Sequence, residues 1–352
     1  MTLRIWLCAA GAIGLMAATQ SEAIAQCSPE NWKECGDKPW VDGDTMETPL
    51  GSVWWPHPMW GEGDEAGSTN WFTRPEVVKR GLSEADQGKT YKLGRPYSAD
   101  MPLFGSRKFA LWIPHRRGPF GMNKLLSHQE FLATNVGQVG TQFDGFGHIG
   151  VQVGDETDQS EMRFYNGFTE HEIVSETGMK KLGIEKLHPI VTRGVLIDVA
   201  GEKGEMLDRG YEITMADVRA ALEKQGMADF QFEGGDGVFF RTRWGDLWGQ
   251  DNERFGSGAP GIGMEVARWL AEEVQAGVVG ADTWPTEAVP NPDEGCVFCV
   301  HAFLLTRHGI VNQENMNLDG LAEDGVYTFL YMYSPTPIVG ATGSMAQPIA
   351  VD

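Results

Sequence analysis

Residues 138 to 148 read Gln-Val-Gly-Thr-Gln-Phe-Asp-Gly-Phe-Gly-His, a run in which polar side chains fall on alternate positions. Successive side chains of an extended strand point to opposite faces, so Gln138, Gly140, Gln142, Asp144, Phe146 and His148 are predicted to share one face. Two amides, a carboxylate and an imidazole on one face suit metal binding or proton transfer. No other segment of the 352 residues packs as much chemistry into so short a length. Two of the polar positions carry glutamine, a weak metal ligand, so the same stretch reads as an altered site.

Outward from this run, the chain alternates strand and helix signals. Val191–Ala200 and Gly237–Thr242 are apolar enough for buried strands, and Val278–Asp282 and Tyr327–Tyr333 read as further strands. Thr214–Gln225 is predicted as a capped helix with Val218 and Leu222 on one side. Met264–Val274 spaces its apolar residues close to a helical period, and Ala302–Leu305 begins another element. Thr73, with Glu76 three residues later, is predicted to cap a helix whose Val77, Val78 and Leu82 face the core. Strands and helices mixed without a strict βαβ rhythm give an α/β fold in one domain, assigned to residues 69–352. Residues 26–68, rich in Trp, Pro, Gly and acids and without periodicity, are predicted to form an irregular arm wrapped on that domain.

Arg4 precedes an apolar run that ends at Ala23-Ile24-Ala25, so residues 1–25 read as a secretory signal peptide and the location as periplasmic or secreted. Beyond that segment lie Cys27, Cys35, Cys296 and Cys299. An even count in an oxidising compartment favours structural disulfides over a CxxC metal or redox pair. The net charge of −21 repels phosphate backbones, so nucleic acid is excluded as a partner. Nothing in the sequence suggests binding to an anionic membrane, which leaves a small-molecule substrate as the expected partner.

Several familiar chemistries are absent. There is no GxSxG elbow, HExxH helix or Walker loop. Gly256-Ser257-Gly258-Ala259-Pro260-Gly261 matches GxGxxG only formally, because it follows a polar stretch and Pro260 lacks the amide that a pyrophosphate needs. It reads as a loop before a helix. By spacing alone, His301 and Glu314 are ordinary residues.

The 138–148 segment resembles the HxGTHxDxPxH signature of the metal-dependent cyclase-family hydrolases, which include kynurenine formamidases and isatin hydrolases. Further segments are similar to that family: Arg193–Asp198, Gly235–Thr242, Gly258–Gly261 with Ala267–Leu270, Gly280–Thr283, and His301 through Asn315. The resemblance runs from about residue 65 to 335. It implies the family's swivelling β/β/α type of domain. It also implies that Gln138 and Gln142 stand where the family has histidine ligands, that Asp144 keeps the aspartate ligand, and that His148 keeps the proton-transfer histidine. Phe146 replaces the family's proline. His301 and Glu314 match the later histidine and glutamate near substrate and metal.

These matches imply a hydrolase that opens a cyclic amide, lactone or arylformamide with a divalent metal ion, Mn or Zn, with Ca or Mg also compatible with amide oxygens. In it Gln138, Gln142 and Asp144 would hold the ion, and His148, His301 and Glu314 would move protons. The family tendency adds an expectation of a homo-oligomer. Two alternatives stay open: a non-catalytic periplasmic binding or sensing protein that kept the fold, and a metal-free lyase or isomerase using His148 and His301.

Overall fold

The protein is described here by a computed structural model covering residues 48–153 and 158–352. The expected signal peptide, the first part of the arm, and Cys27 and Cys35 lie outside the described residues. The strands that matter here are β1 (Thr90–Lys92), β2 (Phe109–Phe120), β3 (Leu125–Thr134), β4 (Gln142–Asp144), β5 (Ile190–Asp198), β6 (Gly237–Arg241), β7 (Val278–Ala281), β8 (Val311–Glu314), β9 (Thr328–Tyr333), β10 (Gly343–Met345) and β11 (Ile349–Val351). All but β2 and β3 join one nine-stranded sheet in the order β1-β11-β9-β5-β6-β7-β8-β4-β10. Its centre, β5 to β8, is parallel. The flanking pairs, β9 on β5 and β4 on β8, are antiparallel.

Of the parallel strands, β5, β6 and β7 are mostly apolar because both faces of the sheet are covered, whereas β8 follows Val311 with Asn312, Gln313 and Glu314. Leu196, Phe239, Val278 and Val311 enter one core, while Ile197, Val238, Phe240, Val279 and Ala281 enter the other. The first core is closed by α1 (Pro75–Leu82), by Trp71 and Phe72 just before it, and by Met59 and Trp60 of the arm. The second is closed by α2 (Met215–Lys224), by α3 (Met264–Arg268), which continues as a π-helix over Trp269–Val274, and by α4 (Cys299–His301), which continues as a π-helix over Ala302–Arg307. In the arm, Leu50 and Trp54 are buried against Ala302. No helix among the described residues is long and apolar enough to cross a membrane.

The start of α1 differs from the sequence reading. Arg74 is the cap residue and Pro75 the first helical position, while the Thr73 hydroxyl donates to the Asn70 carbonyl. Proline suits this position because its missing N–H would be unpaired there anyway. Of the predicted core contacts Val77 is buried, but Leu82 is 53% exposed. Gly81 makes the close approach instead: a Cβ there would collide with the Thr192 backbone on β5.

The cap of α2 is as expected, with Thr214 and Asp217 forming a reciprocal box. Burial alone would raise the Asp217 pKa. Lys203 Nζ at 2.7 Å, the Thr214 amide and hydroxyl, and the Tyr211 hydroxyl outweigh it and hold the carboxyl down to about 2. A depressed carboxyl stabilises the fold above its unfolded pKa, and that contribution is lost as pH falls through the folded value. Asp217→Ala is therefore expected to cost about 2 kcal/mol at pH 7, and the difference from the parent should vanish as pH approaches 2. Urea melts at both ends of that range check it.

Cys296 and Cys299 form a disulfide with Cα atoms 5.5 Å apart, in the loop that leads into α4. Strands β2 and β3 form a hairpin that stands apart from the sheet.

Candidate active site

The site forms where β8 meets the antiparallel strand β4. The register sets Asn312 opposite Asp144 and Glu314 opposite Gln142, so four polar side chains project from one face of this pair. The Gln142 amide donates to Glu314 Oε2 at 2.6 Å, and the Asn312 amide donates to Glu314 Oε1 at 2.9 Å and to Asp144 Oδ2 at 3.3 Å. His301 completes the group from the last residue of α4, where the helix widens into its π segment, a distortion frequent at functional sites. Its Nε2 lies 2.9 Å from Glu314 Oε1 and 3.9 Å from Asp144 Oδ2.

Glu287, in the loop after β7, holds His301 from behind. One of its carboxylate oxygens lies 2.6 Å from His301 Nδ1, and the carboxylate also accepts the backbone N–H groups of Val300 and His301. A carboxylate at this end of α4 satisfies amides that have no partner within the helix. Because Nδ1 faces a carboxylate it carries a proton, which leaves Nε2 as the atom that varies.

The electrostatics follow from three buried carboxylates around one imidazole. Burial opposes charge on His301, but its hydrogen bonds to Glu287 and Glu314 prevail and raise its pKa well above the usual value. Burial and the charge of Asp144 push the Glu314 carboxyl up to about 7, against the pull of His301. The ligand atoms of Asp144, His301 and Glu314 all lie within 4.8 Å of one another. Two carboxylates and an imidazole at that spacing match the donor set of a divalent metal ion. The excess of buried negative charge, visible in the raised Glu314 pKa, is what a dication relieves. These residues fit a metal ion.

The structure brings Gln138, Gln142, Asp144, His301 and Glu314 into one network, but not along one continuous strand face. Strand β4 covers only Gln142–Asp144, and Gln138 reaches Asp144 from a preceding turn, its Nε2 at 2.9 Å from Oδ1. That turn requires Gly140, whose φ is +65° and whose missing Cβ leaves room for the Tyr97 ring. Both glutamines present amide N–H groups to the carboxylates, and the Gln138 oxygen accepts from Arg107 at 2.7 Å. A glutamine that ligated a metal would have to present its oxygen instead.

Past Asp144 the expected alternation fails. Gly145 pairs with Thr342, Phe146 turns into the core against Tyr165, and His148 sits in a tight turn closed onto the Gly145 carbonyl. The His148 ring is half-buried and feels the charges of Asp144, His301 and Arg107. Burial is the largest influence and lowers its pKa, so the ring is uncharged at neutral pH. Glu287, Asn312 and Arg107 were not singled out by sequence. Only Asn312 carried a signal, since it lies two residues from Glu314 and therefore on the same strand face.

Gln138 and Gln142 line a pocket beside the cluster. Its walls are aromatic, with Phe104 stacked on Trp284 at 4.4 Å between centroids, and Trp248 and Phe255 nearby. Arg107 and Asn315 supply its polar rim.

The Cyclase family model matches residues 91–288 of this chain. The chain belongs to the cyclase family. A solved structure described as a novel cyclase is similar at 30% identity and a TM-score of 0.72, over 83% of this chain and 96% of its own. Isatin hydrolase A from Ralstonia solanacearum (19% identity, TM-score 0.55, 78% of this chain and 95% of that one) shares the fold of this cyclase-family protein. So does isatin hydrolase A from Labrenzia aggregata (21%, 0.52, 78% and 97%). No curated protein matches the sequence.

Proposed function

We propose that this cyclase-family protein is a periplasmic or secreted metal-dependent hydrolase that opens a small cyclic amide, lactone or arylformamide. The observation that carries the reading is the buried Asp144–His301–Glu314 cluster, joined through Gln138 and Gln142 to an aromatic-walled pocket. A divalent ion held by these three residues, Mn or Zn with Ca or Mg also compatible with the oxygen donors, would supply Lewis acidity toward a water and a substrate carbonyl. His148, uncharged at neutral pH, takes the proton from the attacking water. Glu287 fixes the His301 tautomer, and Asn312 spaces Asp144 from Glu314. Phe104, Trp248 and Trp284 hold a flat substrate and exclude bulk water, and Arg107 at the rim suits the carboxylate that ring opening releases.

The test is metal analysis of the purified protein together with hydrolysis of a panel of aryl amides, cyclic imides and lactones. About one tightly bound divalent ion per chain is expected, with hydrolysis lost on chelation and restored by Mn²⁺ or Zn²⁺. One observation favours a second reading: the amides of Gln138, Gln142 and Asn312 saturate the carboxylates without an ion. Full turnover after exhaustive chelation would replace the metal mechanism with metal-free proton transfer by His148 and His301.

A further inference from the structure

The Cys296–Cys299 disulfide ends two residues before the candidate ligand His301. It closes a ring across only three positions of sequence. What a cross-link gains by restricting the unfolded chain shrinks with the loop it closes, so this bond adds little to the stability of the whole fold. Its effect is local. Cys299 is the first residue of α4, and the next two amides, of Val300 and His301, donate to the Glu287 carboxylate at 3.3 and 3.0 Å. The bond therefore fixes the stretch of backbone that delivers His301 to Glu287.

Between the two cysteines lies Phe298, in the left-handed conformation with φ 52° and ψ 43°. A residue with a Cβ adopts that conformation at a cost, and it persists only where its surroundings hold it. The Phe298 ring stands edge-on to His301 at 5.4 Å and to Trp284 at 6.3 Å between centroids. Trp284 is itself anchored, since its indole N–H donates to the Phe255 and Gly258 carbonyls. Phe298 thus wedges His301 against a fixed wall of the pocket. The loop is open to reagents: Val297 is 81% exposed and Cys299 half-buried, whereas Cys296 is buried. Cys296, Val297 and Phe298 also line a hollow shared with Ala288, Val289 and Pro290, the residues that follow Glu287. A released loop has room to move there.

By spacing alone the cysteine pair reads as a structural bond, but its place at the head of α4 gives it a second role. We propose that the Cys296–Cys299 disulfide is a redox-sensitive positioning element of the active site, which holds Phe298 and His301 when oxidised and releases both when reduced. Its effect on metal binding rests on the metal-dependent reading of the Asp144–His301–Glu314 cluster. The reductant is a dithiol. Its thiolate attacks Cys299 Sγ, the more accessible sulfur, and the Sγ–Sγ bond breaks with Cys296 leaving as a thiolate that takes up a proton. The second thiol then attacks the mixed disulfide, freeing Cys299 as a thiol and leaving the dithiol oxidised. Two electrons and two protons pass to the protein.

Hydrogen exchange over residues 296–307 and Mn²⁺ titration calorimetry test this, each on the oxidised chain and on the chain reduced with dithiothreitol that is then removed without air. Alkylation and peptide mapping should find Cys296 and Cys299 blocked in the purified chain and labelled after reduction. Reduction is expected to speed exchange of the Val300 and His301 amides at least about 10-fold, with the central strands unchanged. Mn²⁺ affinity should fall about 10- to 100-fold, the usual cost of loosening what orients a metal ligand. Dithiothreitol also reaches other cysteines, so Cys296→Ser with Cys299→Ser should reproduce both effects and be insensitive to reductant. If that variant misfolds, the reduced parent alone decides. Exchange and Mn²⁺ affinity equal to the oxidised parent, in the reduced parent or the folded variant, overturn the proposal, as does alkylation of both cysteines in the purified chain. If neither redox state binds Mn²⁺, the metal reading fails, and faster amide exchange on reduction still upholds the switch while unchanged exchange overturns it.

Discussion

His148→Ala is expected to lower kcat by about 10²- to 10⁴-fold, the usual contribution of a positioned general base, with KM changed only a few-fold. Burial lowers the pKa of the ring, the Asp144 charge opposes that shift, and the charges of His301 and Arg107 reinforce it. A lowered histidine pKa keeps the neutral, proton-accepting form present to lower pH than usual. Activity of the parent should therefore hold as pH falls through 6.5 and drop only below it, and the residual activity of the variant should lack that acid limb. Among the described residues the His148 side chain makes no hydrogen bond, so melts of the variant should match the parent. Steady-state kinetics between pH 5 and 9 check all of this, and a kcat within about threefold of the parent would remove His148 from the chemistry.

That residue also marks where the sequence stops being legible. The central strands β5, β6, β7 and β9 could be read because long apolar runs survive only where both faces of a sheet are covered. The box at Thr214 and Asp217 was legible because a cap is a local device. Strands β1, β10 and β11 are three residues each, too short for periodicity to register. Strands β2 and β3 were not seen at all. Their apolar residues occupy both faces, and Pro114, Gly118, Pro119 and Gly121 interrupt the run.

In the site, alternation predicted correctly that Gln142 and Asp144 share a face but carried that face too far in both directions. Gln138 arrives from a turn, and His148 lies beyond a break at Gly145. What the alternation could not show is the pairing of β4 with β8, which joins Gln142 to Glu314 across 172 positions of sequence. Resemblance to the family supplied that link, since His301 and Glu314 had no distinguishing local pattern. Glu287 had none either. It matters only because the loop after β7 passes the end of α4, a fact of topology.

Asp144→Asn is the sharper probe of the cluster, because it removes a charge and almost no volume. Asp144 is fully buried and accepts from Gln138 on Oδ1 and, at the longer distance of 3.3 Å, from Asn312 on Oδ2. The amide of the variant keeps the stronger Gln138 bond on its carbonyl and turns its NH₂ toward Asn312, a loss of about 1–3 kcal/mol that a melt measures alongside the binding. An amide oxygen is a much weaker ligand than a carboxylate, and with Gln138 and Gln142 already amides, little anionic charge remains to hold a dication. Affinity for Mn²⁺, measured by titration calorimetry on the metal-stripped protein, is expected to fall at least about 100-fold, with hydrolysis lost in parallel. Gln142→Asn is the control: it shortens an amide that donates to Glu314 and leaves all three candidate ligands in place. It should weaken Mn²⁺ binding far less. If Asp144→Asn binds Mn²⁺ as tightly as the parent, the ion does not sit between Asp144, His301 and Glu314. If neither protein binds it, the carboxylates are held by amides alone, and proton transfer between His148 and His301 becomes the mechanism to test.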